Sequence, residues 1–85
     1  MSYRVIFHAH AARDFRKLPQ DIKNRLQPHI DALANNPRPR GVEKLTGTEN
    51  GYRIRVGTYR ILYEIQDYVL TVYVVRVAHR RDAYR

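Results

Sequence analysis

The sequence has no cysteine, no tryptophan and no long hydrophobic run. The lack of cysteine excludes disulfide scaffolds, zinc–cysteine sites and thiolate nucleophiles. No apolar stretch approaches the roughly 20 residues of a membrane-spanning helix, and the first residues, MSYRVIF, lack the apolar segment of a signal peptide. We therefore expect a cytoplasmic protein that has no membrane association.

Common catalytic and cofactor-binding motifs are missing too. The sequence contains no glycine-rich phosphate loop and no nucleophile elbow. Its histidines lack the spacing of a metal site, and they are His8, His10, His29 and His79. The sequence therefore predicts neither a metal nor a cofactor.

What the sequence does have is positive charge. Its 85 residues include 16 Lys and Arg against eight Asp and Glu, which gives a net charge of +8. The hydrophobic fraction of 44% is high enough for a folded core, and we expect one domain that spans residues 1–85. A surplus of positive charge favours polyanionic partners, although it also keeps a protein soluble.

The basic residues are mostly arginine, and tyrosines are interleaved with them. Thirteen of the 16 basic residues are Arg, and there are seven Tyr. Arg grips phosphate with a planar fork of donors, and aromatic rings stack on unpaired bases. Tyr is also common in half-buried strands, and we assign most of the seven to strand packing. The composition indicates nucleic acid or an acidic protein as the partner without choosing between them.

The first half of the chain has the pattern of one strand followed by two helices. Residues 3–7 are typical of a strand, and residues 11–18 of a helix that Pro19 ends. A second helix is predicted over residues 20–35, where apolar residues recur every three or four positions, at Ile22, Leu26, Ile30 and Leu33. Pro28 lies inside this pattern and predicts a kink.

The second half has the pattern of an antiparallel meander. Residues 43–45 are predicted as a short strand, and three longer strands follow at 52–56, 58–66 and 69–77. The connections between the long strands are so short that the neighbours must be antiparallel. The predicted fold is α+β: an N-terminal strand, a helical hairpin and then an antiparallel β-meander, in one sheet with the helices on one face.

Several arginines lie on the strand positions that point away from the helices or directly follow the last strand. They are Arg53, Arg55 and Arg60 on the strands, and Arg80 and Arg81 after them. Arginines two apart on one strand lie about 6.8 Å from each other. Such a cluster fits a phosphate that gains charge during a reaction. It equally fits a solvated face on which Glu64 and Glu49 neutralise the arginines.

Two stretches resemble the RelE branch of the RelE/ParE toxin superfamily: NGYRIRVGTYRILY at residues 50–63 and VVRVAHRRDAYR at residues 74–85. The helix pair and the LANNP end of the second helix fit as well, so the resemblance covers essentially the whole chain. It implies a RelE-like fold and the toxin of a type II toxin–antitoxin system. It further implies an endoribonuclease that cuts mRNA in the ribosomal A site and so inhibits translation.

The reaction implied by the resemblance is metal-free attack of a ribose 2′-OH on the adjacent phosphate. Fixed cations can stabilise such a phosphate. By the resemblance, Arg60 and Arg80 do so, and Arg53 and Arg55 bind the RNA backbone and help to move protons. Tyr84 is implied to orient a substrate base. We assign Arg81 and Lys44 to substrate binding alongside it.

One departure from the family pattern concerns the general base. Relatives often carry Lys at the strand positions held here by Arg53 and Arg55, and Arg is a poor proton acceptor because its pKa lies above about 12. His79 has an ordinary pKa near about 6.5 and is a candidate base. Glu43 is the second candidate, since some relatives use a Glu in that loop. Both residues also have structural interpretations, as a backbone partner and as a partner of Arg.

Two other functions stay open at this point. A ParE-like inhibitor of DNA gyrase would share the fold without RNase activity, and an inactive relative would share the sequence pattern. The implied partners are a cognate antitoxin, the ribosome and mRNA. We expect a monomer when the toxin is alone and a hetero-oligomer with the antitoxin, whose acidic, amphipathic segment would cover the basic sheet face.

Overall fold

A computed structural model of the chain describes residues 2–79. Its elements are β1 (Arg4–Phe7), α1 (Ala9–Arg16), α2 (Gln20–Ala32), β2 (Glu43–Lys44), β3 (Gly51–Val56), β4 (Tyr59–Gln66), a single 3-10 turn (Asp67–Val69) and β5 (Thr71–His79). The strands form one sheet in the order β1-β5-β4-β3-β2. β1 is parallel to β5, and the other neighbours are antiparallel. The predicted α+β fold is thus confirmed.

Both helices pack on the same face of the sheet through the residues that the sequence pattern marks. Ala11 of α1 and Leu26 of α2 have no exposed surface, and Ile22 is half-buried against the same core. Phe15 meets Phe7 of β1 edge to face, with the ring centroids 5.8 Å apart. α2 continues through Pro28 to Ala32, so the missing amide of Pro28 does not end the helix.

The hairpin between β3 and β4 explains why the last strands run antiparallel. Gly57 has a φ of +60°, the left-handed region that glycine enters without steric cost. It is the first of two loop residues, as a type II′ hairpin requires. The next connection contains the 3-10 turn Asp67–Val69 and Leu70 at a φ of 48°. Because of this turn, β5 begins at Thr71 and not at residue 69.

A β-bulge divides β5 into two parts. Tyr63 of β4 pairs with Val74, whereas the preceding Leu62 pairs with Arg76, so Val75 is an additional residue. Side chains alternate along a strand, and one extra residue reverses the alternation. Val77 therefore enters the core on the helix face, and Arg76 comes into register with Leu62.

The loop from α2 to β2 is fastened by the side chains of a group that we call the Asp67 cluster, namely Tyr3, Arg38, Tyr52 and Asp67. Arg38 donates two hydrogen bonds to the Asp67 carboxylate, at 2.8 and 3.2 Å, and the Tyr3 hydroxyl donates a third at 2.6 Å. The hydrogen bonds from Arg38 and, to a smaller extent, from Tyr3 lower the pKa of Asp67 to about 2. The Arg38 guanidinium also lies over the ring of Tyr52, 5.3 Å from its centroid.

One buried tyrosine anchors the same loop. Tyr63 has no exposed surface, and its hydroxyl donates a 2.7 Å hydrogen bond to the carbonyl of Pro37. Burial raises the pKa of Tyr63 well above its usual value. This residue supports the assignment of most tyrosines to packing. Across residues 2–79, neither helix has the length and apolarity to cross a membrane.

Candidate functional site

By strand register, the sheet face opposite the helices carries four arginines, which we call the arginine face: Arg53, Arg55, Arg60 and Arg76. The guanidinium of Arg76 is bound to Asp14 of α1, where its Nε donates a 3.2 Å hydrogen bond to Oδ2. Arg55 and Arg60 are direct cross-strand partners in the hairpin of β3 and β4. Arg53 and Arg76 flank Leu62 from the two neighbouring strands. Residues in register lie on the same face about 5 Å apart. The structure therefore brings together Arg53, Arg55 and Arg60, as the sequence predicts.

One carboxylate at the sheet edge joins two of these arginines. Glu43 of β2 pairs in register with Arg53, and its carboxylate lies 3.0 Å from an Arg53 nitrogen and 3.4 Å from Nε of Arg55. Glu43 thus holds two guanidinium groups beside each other. Glu43 is thus a partner carboxylate of Arg53 and Arg55, which agrees with the structural interpretation of this residue from the sequence.

Arg60 differs from its neighbours in burial. It is only 8% exposed, whereas the side chain of its partner Arg55 is 56% exposed. Arg60 lies on the interior strand β4, between Arg55 on one side and Ala78 on the other. A buried guanidinium is held in a fixed position, and its charge is less screened by water than that of an exposed one. Arg60 is therefore the most buried cation of the arginine face.

Arg76 is a member that sequence reasoning missed. Strict alternation along β5 would put Arg76 on the face of Val72 and Val74, which is covered by the helices. The bulge at Val75 moves it to the arginine face. A bulge of one residue leaves no clear signal in an apolar strand such as VLTVYVVRV.

His79 lies at the end of β5, on the other side of the sheet from Arg60. Its register partner is Tyr59, and the two rings meet edge to face with centroids 5.4 Å apart. Both line a groove of about 470 Å³ between α1 and the end of β5, together with Asp14, Lys17, Leu18 and residues 76–78. Ala78, the residue before His79, is the register partner of Arg60. The groove therefore adjoins the arginine face at this end of the sheet.

Lys44 is not brought to the arginine face. It pairs with Tyr52, whose side chain lies on the helix side of the sheet, and its ammonium lies 5.4 Å from the centroid of that ring. The ammonium also donates to the backbone carbonyls of Thr48 and Glu49. These contacts fasten the turn before β3, which is a structural task.

Three predicted site residues fall outside the described part of the chain: Arg80, Arg81 and Tyr84. Their assignments stay predictions. Within residues 2–79, no group of three or more His, Asp or Glu side chains is placed to hold a metal ion. The chemistry of the described site is accordingly that of guanidinium groups, the carboxylates of Glu43 and Asp14, the imidazole of His79 and the aromatic ring beside it.

Comparison with known proteins identifies the family. A family model described as the ParE toxin of the type II toxin–antitoxin system parDE matches residues 5–84. The toxin RelG of Mycobacterium tuberculosis is 39% identical over 100% of this chain and 99% of its own length. The mRNA interferase toxin RelE of Escherichia coli is 28% identical, over 94% of this chain and 85% of its own length. The chain belongs to this family of toxins of type II toxin–antitoxin systems.

Structural similarity places it more narrowly. A chain in the crystal structure of the toxin–antitoxin complex RelBE2 from Mycobacterium tuberculosis superposes with a TM-score of 0.82 at 35% identity. The match covers 94% of the present chain and 100% of the other. Together with the RelE-named relatives, this similarity puts the protein in the RelE branch of the RelE/ParE superfamily.

Proposed function

We propose that this protein is a ribosome-dependent mRNA endonuclease that cuts mRNA in the A site and so inhibits translation. The observation that carries the proposal is the arginine face, where Arg55 and Arg60 lie in register and Glu43 holds Arg53 and Arg55 together. Guanidinium groups bind phosphate with paired hydrogen bonds. The name of the Escherichia coli relative, an mRNA interferase, supports RNA as the substrate.

The proposed reaction uses the RNA itself as the nucleophile. The 2′-oxygen loses its proton and forms a bond to the adjacent phosphorus, and the bond from phosphorus to the 5′-oxygen breaks. The products are a 2′,3′-cyclic phosphate and a 5′-OH that has gained a proton. The protein has to orient the ribose, stabilise a phosphate that gains charge, and accept and supply one proton.

The arginine face supplies the charge stabilisation in this scheme. Arg60 has the strongest case because it is buried and fixed, and a preorganised cation stabilises a transition state without having to move. Arg55, its exposed partner, and Arg53 would hold the RNA backbone. Arg80 stays in the scheme as the second phosphate ligand and Tyr84 as the residue that orients a base, on the strength of the family resemblance.

Two residues are candidates for the proton acceptor. Glu43 lies on the arginine face but is engaged with two guanidinium groups, at 3.0 and 3.4 Å. His79 lies on the other side of the sheet from Arg60, in the groove that adjoins the arginine face at the end of β5. We propose His79 as the base, because an imidazole both accepts and returns a proton near neutral pH. The part of Glu43 is then to hold Arg53 and Arg55 in position.

The proposed inhibitor is a cognate antitoxin, as in the RelBE2 complex. The chain carries a net charge of +8, and an acidic, amphipathic segment that covers the arginine face would neutralise it and block the RNA. The proposal places the toxin in the cytoplasm, where ribosomes and mRNA are found.

The test is direct. Purified protein is added to ribosomes programmed with a defined mRNA whose A site is empty, and the new 3′ ends are mapped. A cut inside the A-site codon that is absent without ribosomes is the expected result. If no codon is cut, the endonuclease assignment is wrong. A DNA supercoiling assay then decides between gyrase inhibition and an inactive relative.

A further inference from the structure

We infer that Asp14 of α1 is a positioning residue that holds the end of β5 in the geometry needed at the active site. This inference rests on the proposed function. It concerns a residue that lies neither on the arginine face nor on the sheet. It is carried by the hydrogen bonds of Asp14 and by the way the sheet ends beside them.

β5 loses its outer neighbour, β1, halfway along its length. β1 ends at Phe7, which pairs with Val74, and the last backbone bond between them runs from the His8 amide to the Val74 carbonyl, at 2.9 Å. From Val75 to His79, β4 is the only strand beside β5 among residues 2–79. A half-paired strand end moves more easily than a fully paired one, because fewer hydrogen bonds hold it.

α1 replaces the missing strand at one point. Oδ2 of Asp14 accepts a hydrogen bond from the backbone amide of Val77 at 3.1 Å, which is the kind of bond that a neighbouring strand would otherwise make. The same oxygen accepts a second hydrogen bond from Nε of Arg76 at 3.2 Å. The Asp14 side chain is only 20% exposed, so water competes weakly for these bonds.

The segment around Val77 carries residues that belong to the proposed active site. Val77 lies between Arg76, a member of the arginine face, and Ala78, the register partner of Arg60. Two residues beyond Val77 comes His79, the proposed base. A shift at Val77 would therefore move the proposed base relative to the buried cation, and a misplacement of about 1 Å costs on the order of a hundredfold in rate.

The carboxylate has one further neighbour. Nε2 of His10, one helical turn earlier on α1, lies 3.9 Å from Oδ1 of Asp14. This oxygen is the one that Val77 and Arg76 do not use. The holding contacts are therefore those of Oδ2 alone, and a side chain that keeps one acceptor oxygen can keep the bond to Val77.

The test compares two substitutions at Asp14 with a control. Asp14→Ala removes the acceptor, and Asp14→Asn keeps an oxygen that can accept from Val77 while removing the charge. Asp31→Asn makes the same charge change on an exposed position of α2, where the carboxylate accepts only a local hydrogen bond from Gln27 among the described contacts. Single-turnover cleavage over a range of ribosome concentrations separates the rate at saturation from the half-saturating concentration.

We expect Asp14→Ala to lower the saturating rate about tenfold to a hundredfold with the half-saturating concentration unchanged within about twofold. Asp14→Asn is expected to recover most of the rate, and Asp31→Asn to match the wild type. The inference is overturned if Asp14→Ala cuts at the wild-type rate, or if Asp14→Asn is as slow as Asp14→Ala. It is also overturned if the loss lies wholly in the half-saturating concentration.

Hydrogen exchange of the Val77 amide separates this inference from the proposed function. Exchange is measured on the folded protein without RNA, and the amides of the buried Tyr63 and Val74 are the internal reference. We expect Asp14→Ala to speed exchange at Val77 about tenfold or more relative to these amides. If the wild type cuts no mRNA, the proposed function fails and exchange alone decides: unchanged protection at Val77 overturns the inference that Asp14 holds the strand.

Discussion

The Asp67 cluster and the arginine face are built from the same kinds of side chain but are balanced differently. In the Asp67 cluster, one guanidinium meets one carboxylate with two hydrogen bonds, and a tyrosine hydroxyl donates to the same acid. On the arginine face, the carboxylate of Glu43 contacts the guanidinium groups of Arg53 and Arg55, and that of Asp14 contacts Arg76. The first arrangement is close to neutral, and the second keeps a surplus of positive charge.

The two groups of arginines also differ in which parts of the chain they connect. Arg38 joins the loop after α2 to the turn before β5, so its bonds tie two distant segments together. Arg53, Arg55 and Arg60 lie on two adjacent strands that are already joined by backbone bonds. Their charges contribute little to holding those strands together, because like charges in register destabilise strand pairing. Under the proposed function, the positive charge of these arginines serves to bind an anionic ligand.

The largest expected effect comes from replacing one arginine of each group by alanine. Arg60→Ala should lower A-site cleavage at least about a hundredfold, because it removes the fixed cation beside the phosphate. Arg38→Ala should leave the cleavage rate close to wild type and instead lower the urea concentration at which the protein unfolds. Cleavage assays and urea titrations of both variants make the comparison.

Arg60 is buried, so its variant needs a check on folding. Arg60→Lys keeps a charge but not the planar fork, and an intermediate rate is expected from a correctly folded protein. The circular dichroism spectrum should be unchanged in both Arg60 variants. If Arg60→Ala stays fully active, or if Arg38→Ala is the inactive variant, the division between the two clusters is wrong.

The next effect concerns His79, the proposed base, which lines the groove adjoining the arginine face. His79→Gln should lower the cleavage rate about a hundredfold, because it removes the proposed proton acceptor. The single-turnover rate of both proteins is measured on programmed ribosomes. Full cleavage by His79→Gln would exclude His79 and direct attention to Glu43.

The smallest expected effect is the pH dependence of the Asp67 cluster. The pKa of Asp67 is about 2 in the folded protein, below its ordinary value of 3.8. A lowered carboxyl pKa stabilises the fold above the ordinary value, and this stabilisation is lost as the pH falls from about 4 towards about 2. The urea midpoints of the wild type and Asp67→Asn should therefore differ at pH 7 and converge near pH 2. A difference that is the same at both pH values would contradict this account.

Much of the fold follows from local patterns that any reader of the sequence can find. The apolar spacing of the second helix and the alternation of Arg53 and Arg55 with Ile54 and Val56 predict which sides are buried, and the structure agrees. The short connection at Gly57 fixes the neighbouring strands as antiparallel. Helix and strand ends differ from prediction by about two residues, as α1 begins at Ala9 and β5 at Thr71.

The parallel pairing of β1 with β5 lies beyond these local patterns. It joins Arg4 to Thr71 and puts β5 in the middle of the sheet. No short turn connects the two strands, so nothing in the intervening sequence fixes their register. That register leaves the end of β5 without a strand on one side, which is where Asp14 makes its bonds.

By itself the sequence determined the helices, the meander and the side of the sheet on which Arg53 and Arg55 lie, because these depend on side-chain period and on turns of a few residues. The tertiary structure alone decided that Arg60 is buried. It also decided that Arg76 is in register with the arginine face and that Lys44 lies away from it. These outcomes depend on a one-residue bulge, on strand register and on the neighbours that each strand acquires. Such contacts join residues far apart in the chain, and the local pattern is the same whether they form or not.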